Sequence, residues 1–257
     1  MKFRLVKNKL YLEDCLKTLR RMPPRFVDLV VTSPPYDQLK KYEGYAFDFD
    51  SVVSELYRVL KPGGVVVWIV GDSTTKGSES GTSFRQAIRF KELGFNLHDT
   101  MIWHKSNAFN FGSNESYRQS FEYMFVFSKG KPKTIRLIKD VPTVMFGQIA
   151  RGARKHSDGS RNGLRPFEVP KYKKRDNVWF IPTNSGKSLG HPATFPLDLA
   201  KDHIKSWSKQ GDLVYDPFMG SGTTAVAAKL LNRNWLGSEI SSEYVKTART
   251  RIKNTKI

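Results

Sequence analysis

Six consecutive apolar residues, Val65-Val66-Val67-Trp68-Ile69-Val70, stand between Lys61-Pro62-Gly63-Gly64 and Gly71. A strand with one wet face alternates apolar and polar positions; an unbroken run must be covered on both faces, as parallel strands are by crossover helices. The run is too short for a bilayer span, which takes about 18 apolar residues or more. Phe26 to Val31 is a second strand of this kind, and Leu97 to Trp103, Phe121 to Phe127, Leu213 to Tyr215 and Trp235 to Gly237 read as further strands. Helical spacing covers Asp14–Arg21, Phe49–Leu60, Phe84–Leu93, Phe195–Trp207, Thr223–Leu231 and Ser242–Ile252. The Lys61–Gly64 stretch reads as a Pro/Gly turn and Gly71–Gly81 as a Ser/Gly-rich loop. Strands alternating with helices predict an α/β fold, a doubly wound and mostly parallel sheet with helices on both faces.

The 257 residues suit one domain, or one domain with a sizeable insertion. From about Gly130 to Gly190 the alternation stops, and the chain becomes basic and rich in Gly, Pro and Asn. Residues 131–190 hold fourteen Lys and Arg against four Asp and Glu, about half of the chain's net charge of +19. The total alone fits a polyanionic partner or a basic, soluble surface equally well. Its localisation favours a binding surface, because phosphate contacts gain from counterion release. The expected organisation is 1–129 and 188–257 as two halves of one domain around a basic insertion at 130–187. Cys15 has no second cysteine to pair with and fits a reducing cytoplasm. Met1 to Leu5 begins no apolar signal core, so cytoplasmic residence without a membrane span is expected.

Two motifs fall at strand-to-loop exits, where open α/β sheets bind ligands. Thr32-Ser33-Pro34-Pro35-Tyr36 follows the Phe26–Val31 strand. Its prolines fix φ and remove two backbone donors, leaving a rigid loop that displays acceptors. The Ser33 hydroxyl and Pro34 carbonyl can hold the hydrogens of an amino group, and Tyr36 offers a face for an extruded base. The same residues also describe an ordinary Pro-Pro loop. Asp216-Pro217-Phe218-Met219-Gly220-Ser221-Gly222-Thr223-Thr224 opens a helix near the end of the chain. Gly220 and Gly222 permit close backbone approach, and a helix N-terminus favours negative charge. The Lys of a phosphate-binding P-loop is absent, which favours a cofactor bearing a carboxylate and a sulfonium over a nucleoside triphosphate.

With the Pro-Pro motif first and the Gly loop last, the chain resembles the β-group of amino DNA methyltransferases over most of its length outside the basic stretch. The resemblance implies a Rossmann-like methyltransferase sheet, S-adenosyl-L-methionine as cofactor, and double-stranded DNA as substrate. It assigns the catalytic loop to Ser33, Pro34, Pro35 and Tyr36. It assigns the methionine end of the cofactor to Asp216, Phe218, Gly220, Ser221, Gly222 and Thr223, its ribose to Glu239, and its adenine to Asp14, taken to lie just before the first strand. Gly190-His191-Pro192-Ala193-Thr194-Phe195-Pro196 matches the family's pocket-lining motif, which adds His191, Pro192, Ala193 and Phe195. The basic stretch becomes a target-recognition segment, with Lys171, Lys173, Lys174 and Arg175 as phosphate contacts. A homodimer and a cognate restriction endonuclease are compatible partners.

Ser rather than Asp before Pro-Pro points in this family to cytosine N4, with adenine N6 as the alternative. RNA or protein-glutamine methyltransferases usually carry the Gly loop first and Asn before the prolines, and a non-catalytic DNA-binding protein would not need a cofactor pocket. Cys15, in no Pro-Cys context, reads as a packing residue rather than a nucleophile. His98 and His104 lack metal-ligand spacing, and no metal site is expected. Glu55 and Arg58 read as a solvated helix face. Tyr172 and Trp179 read either as DNA contacts or as anchors of the insertion's own core.

Overall fold

The computed structural model describes residues 6–35, 48–107, 117–153, 156, 158–160, 162–183 and 194–256. The first half of the chain supplies β1 (Lys9–Leu12), α1 (Cys15–Arg21), β2 (Val27–Thr32), α2 (Phe49–Val59), β3 (Leu60–Val70) and a small hairpin, β4 (Thr74–Thr75) and β5 (Ser78–Glu79). It continues with α3 (Thr82–Glu92), β6 (Asn96–His104) and β7 (Phe121–Ser128). Short strands follow: β8 (Lys139–Pro142), β9 (Ile149–Gly152), β10 (Arg165–Glu168), β11 (Tyr172–Lys174) and β12 (Val178–Phe180). The last part adds α4 (Leu197–Trp207), β13 (Leu213–Asp216), α5 (Thr223–Leu230), β14 (Asn234–Glu239) and α6 (Ser242–Asn254).

Eight strands form one sheet in the order β1-β14-β13-β2-β3-β7-β6-β12. All its pairings are parallel except those of β7, which is antiparallel to both β3 and β6. Period-two burial explains the unbroken apolar run. Val66, Trp68 and Val70 join a core cluster with Leu19 of α1, Val52 and Leu56 of α2, and Phe90 of α3. Val65, Val67 and Ile69 point the other way and are equally buried, on the side where α4 packs on β2 and β3. The first cluster is rich in aromatics. Phe90 stacks on Phe127 with ring centroids 4.1 Å apart, and the indole N–H of buried Trp68 donates to Gln86 Oε1 at 2.8 Å.

Several local expectations are corrected. Lys61–Gly64 is the bulged start of β3 rather than a free turn, because Gly63 N–H donates to the Lys129 carbonyl and the Gly64 carbonyl accepts from Lys129 N–H. β1 escaped the sequence reading, being four residues at a sheet edge with a single buried side chain. Asp14 therefore follows the first strand instead of preceding it.

Residues 137–176 form a separate compact unit, narrower than the stretch marked out by composition. Val178–Phe180 instead pairs with β6, and Trp179, only 7 % exposed, stacks on His203 of α4. Trp179 thus serves the sheet's packing, and neither role expected for it holds. No helix among the described residues is long and apolar enough to cross a membrane.

Arg58 is likewise no free surface charge. It pairs with Glu55, and its two terminal nitrogens donate to the Leu19 and Met22 carbonyls at 2.8 Å, closing the end of α1. Arg58→Ala is expected to lower unfolding free energy by about 1–2 kcal/mol, since bonds from a charged donor are lost. Glu55→Ala should cost about 0.5 kcal/mol, as for an exposed pair. Urea denaturation of both variants checks this; equal losses would locate the effect in the ion pair instead.

Candidate active site

β2 and β13 lie side by side at the centre of the sheet, and from them the chain winds outward in opposite directions, to β3 on one side and β14 on the other. That makes the pair a topological switch point, where the loops leaving two parallel strands diverge and open a crevice. The loop after β2 begins at Ser33-Pro34-Pro35, and the loop after β13 is Pro217–Gly222. The two motifs, far apart in sequence, therefore leave neighbouring strands at one edge.

One carboxylate joins them. Asp216 ends β13 and is 1 % exposed. Its Oδ1 accepts the Thr32 hydroxyl at 2.6 Å and the Phe218 N–H at 3.0 Å. Oδ2 lies 2.8 Å from the Thr224 hydroxyl, which is also 3.1 Å from the Val31 carbonyl. Burial pushes the carboxyl up to about 6, against the pull of those hydrogen bonds. The enclosed side chain fixes the two loops on either side of it.

The glycine loop is held from behind as well. Arg251 of α6 donates to the Ser221 carbonyl at 2.6 Å and to Ser221 Oγ at 2.7 Å, with Thr223 Oγ1 at 3.4 Å. The Ser221 and Thr223 side chains are thereby turned toward α6, and both residues are buried. Gly222 has φ +88°, and a Cβ there would stand 3.0 Å from Ala248 Cβ. Its missing side chain serves the left-handed turn and the approach of α6. Gly237 has a similar use on β14, where a Cβ would come within 2.1 Å of Met219 Cε. Phe218 is half-buried, its ring 6.3 Å from that of Trp68.

At the end of β14, Glu239 Oε2 accepts the Gly220 N–H at 2.8 Å and Oε1 accepts the Ser241 N–H at 2.9 Å. Each oxygen keeps a lone pair that can accept from a hydroxyl, the acceptor pair a vicinal diol requires. Burial raises this carboxyl too. β1 pairs with β14 so that Leu12 lies opposite Glu239, bringing Asp14 to the same edge. Asp14 caps α1 through a 2.7 Å bond from Leu16 N–H. Cys15 beside it is buried, and desolvation together with Asp14 pushes its thiol up to about 12. An enclosed thiol held protonated is that of a packing residue.

Ser33 and Pro35 are half-buried and Pro34 is buried. Phe195, also half-buried, precedes Pro196, the N-cap of α4. Tyr36, His191, Pro192 and Ala193 lie outside the described residues. Lys171, Lys173 and Lys174 lie in the 137–176 unit, as does Arg175, which is paired with Asp140. Among the described residues no group of three His, Cys, Asp or Glu could hold a metal ion.

Thr32, Thr224 and Arg251 were not singled out from sequence. A hydroxyl ending the apolar run Leu29-Val30-Val31 was a usable sign for Thr32. Arg251, one of many cations in a terminal helix, gave none.

The buried carboxyl makes a pH prediction. Between about pH 4 and pH 6 the folded state keeps a proton that an unfolded aspartate has released, so Asp216's contribution to stability falls as pH rises through that window. Asparagine can replace it isosterically: its carbonyl accepts from Thr32 and Phe218, and its amide donates to Thr224. Asp216→Asn should therefore fold and gain on the order of 2 kcal/mol relative to wild type between pH 4 and pH 7. Chemical denaturation at both pH values measures this; a pH-independent difference would mean the carboxyl titrates normally.

A DNA methylase family model (N6_N4_Mtase) matches residues 27–250. Over 242 residues the chain is 53 % identical to the orphan methyltransferase M.BamHII of Bacillus amyloliquefaciens, covering 89 % of each protein. It is 31 % identical to the type II methyltransferase M.BglII of Bacillus subtilis over 94 % of this chain and 68 % of that one. Among solved structures it superposes on TTHA0409 of Thermus thermophilus, a putative DNA modification methylase complexed with S-adenosyl-L-methionine. The TM-score is 0.66 at 28 % identity, over 96 % of this chain and 93 % of that one. The cytosine-N4-specific PvuII DNA methyltransferase shares the fold, with TM-score 0.71 at 24 % identity over 100 % and 90 % of the two chains. A match of this extent, on a sheet whose two motif loops share one carboxylate, makes the chain a member of the N6/N4 DNA methylase family.

Proposed function

We infer that this protein transfers a methyl group from S-adenosyl-L-methionine to the exocyclic amino nitrogen of a base extruded from double-stranded DNA, and that the base is cytosine. The observation that carries the reading is the junction at Asp216, which fixes the exit of β2 against the exit of β13. A loop of amino-group acceptors and a loop suited to a nucleoside with an amino-acid tail are thereby set together.

The residues present fit the cofactor. Glu239 has lone pairs for two hydroxyls, and the N-terminus of α5 behind left-handed Gly220 and Gly222 suits a carboxylate. When bound, S-adenosyl-L-methionine supplies an electrophilic methyl group. The protein's part is orientation: Ser33 Oγ and the Pro34 carbonyl accept the amino hydrogens, turning the nitrogen lone pair toward the methyl. The family resemblance assigns the stacking face for the base to Tyr36. The nitrogen would form its new bond to carbon as the methyl–sulfur bond breaks, leaving a neutral thioether, and would shed one proton to solvent, with no covalent bond to the protein. Aligning two bound reactants can supply about 7–11 kcal/mol of the barrier in favourable cases.

Ser33 supports cytosine over adenine. The support is chiefly the family resemblance, in which Ser before Pro-Pro accompanies N4-cytosine methylation. A hydroxyl can accept from the N4 amino group while donating to the adjoining ring N3, and the same geometry is open to adenine through N1. Lys171, Lys173 and Lys174 supply phosphate contacts, with Arg175 steadied by Asp140. A homodimer and a partner endonuclease are consistent with this role.

Mass spectrometry of DNA digested after reaction with the purified protein should find N4-methylcytosine. Ser33→Ala should reduce kcat by roughly 10²-fold with little change in cofactor affinity by calorimetry. N6-methyladenine as the sole product would overturn the choice of base, and wild-type turnover in the variant would remove Ser33 from the reaction.

A further inference from the structure

The 137–176 unit is a two-stranded ribbon. β8 pairs with β11 and β9 with β10, both antiparallel, so the paths 139–152 and 165–174 run against each other. The unit carries ten Lys and Arg against four Asp and Glu, a net charge of +6. Where the two pairings meet, the strands are unequal. Thr143–Gln148 on one side faces Val169–Lys171 on the other. Thr143 N–H donates to the Lys171 carbonyl at 3.1 Å, Gly147 N–H to the Val169 carbonyl at 3.1 Å, and Val169 N–H to the Gln148 carbonyl at 2.9 Å. The Thr143 hydroxyl also reaches the Pro170 carbonyl.

The surplus residues are extruded as a tight turn. Gln148 N–H bonds back to the Met145 carbonyl at 3.1 Å, and Gly147 takes φ +79° with nothing near its missing side chain, so glycine is there for conformation alone. At the apex stand three apolar residues in a row. Val144 is 102 % exposed, Met145 51 % and Phe146 56 %, and Ile149 beside them is 69 % exposed. Exposed apolar side chains on a pinned turn, within a strongly basic ribbon, call for a ligand. Nucleic acid is a polyanion that also offers large apolar faces between its charges, its stacked bases.

We propose that Val144-Met145-Phe146 is an apolar wedge that enters the base stack of bound double-stranded DNA while the ribbon's cations hold the phosphates. The proposal rests on the DNA reading above and extends it to a binding element. A two-stranded ribbon fits a DNA groove, and apolar wedges unstack base steps. Extruding a base costs a few kcal/mol of stacking, and a wedge at the opened step recovers part of that cost. Rigidity matters here, because a mobile tip would lose in ordering what it gained in contact.

A nicked plasmid religated in the presence of protein reports unwinding without knowledge of the recognition sequence, and tritium transfer from labelled S-adenosyl-L-methionine reports methylation of the same DNA. Wild type should shift the topoisomer distribution and label the plasmid. The Val144→Ser/Met145→Ser/Phe146→Ser variant should melt at the wild-type temperature and keep the salt dependence of DNA binding. It should lose the topoisomer shift and label roughly tenfold more slowly or worse. Met145→Leu/Phe146→Leu, which preserves apolarity, should retain both activities. Unwinding and labelling at wild-type levels by the triple-serine variant would overturn the wedge. A change in that variant's molecular mass by light scattering would assign the surface to a second copy of the chain instead. If wild type itself labels neither the plasmid nor sheared genomic DNA of high and low G+C content, the DNA reading fails and the wedge with it.

Discussion

The site depends on a carboxylate buried between two parallel strands. Asp216 accepts from Thr32 on one side, and from the Phe218 N–H and the Thr224 hydroxyl on the other. Without it, the sheet ladder below them and the bond from Thr224 to the Val31 carbonyl would remain between the exits of β2 and β13. Enclosing an aspartate is costly, which its raised pKa reflects. Hydrogen bonding offsets the cost because each oxygen has a partner whether or not the carboxyl carries a proton.

The remainder of the fold positions that junction. At the opposite edge of the sheet, Asp28 of β2 accepts Lys61 of β3 through both oxygens, at 2.7 and 2.6 Å, and the Leu213 N–H of β13 at 2.9 Å. The central strands are thus pinned at both ends, by Asp28 at the start of β2 and by Asp216 at the end of β13. α6 closes the arrangement from behind through Arg251 on the glycine loop and Ala248 against Gly222. Chemistry that relies on orientation needs such a frame, because an error of about 1 Å between reacting groups can cost 10²-fold in rate.

Much of this was legible in the sequence, for reasons the structure makes plain. Unbroken apolar strands such as Val65–Val70 have one physical explanation, two covered faces, and so the α/β class followed. The motif loops were recognisable because prolines and glycines restrict backbone geometry whatever surrounds them. What escaped was tertiary. β1 is too short and too exposed to show a period, and Trp179 lay in a basic stretch although its strand pairs with β6. Asp216, Ser221 and Gly222 were correctly tied to the loop. Their side-chain directions depend on Thr32, Arg251 and Ala248, which lie 184, 30 and 26 positions away in the chain. No local pattern encodes such pairings.

The link between Asp216 and Thr32 can be cut alone. Thr32→Val removes the hydroxyl from the catalytic side and leaves Phe218 and Thr224 holding the cofactor side. Single-turnover methyl transfer to duplex DNA, measured beside calorimetric binding of S-adenosyl-L-methionine, is the direct test. The account predicts cofactor affinity within about twofold of wild type and a transfer rate lower by roughly tenfold or more. A rate equal to wild type would contradict it, since the two loops would then keep their alignment without the carboxylate between them.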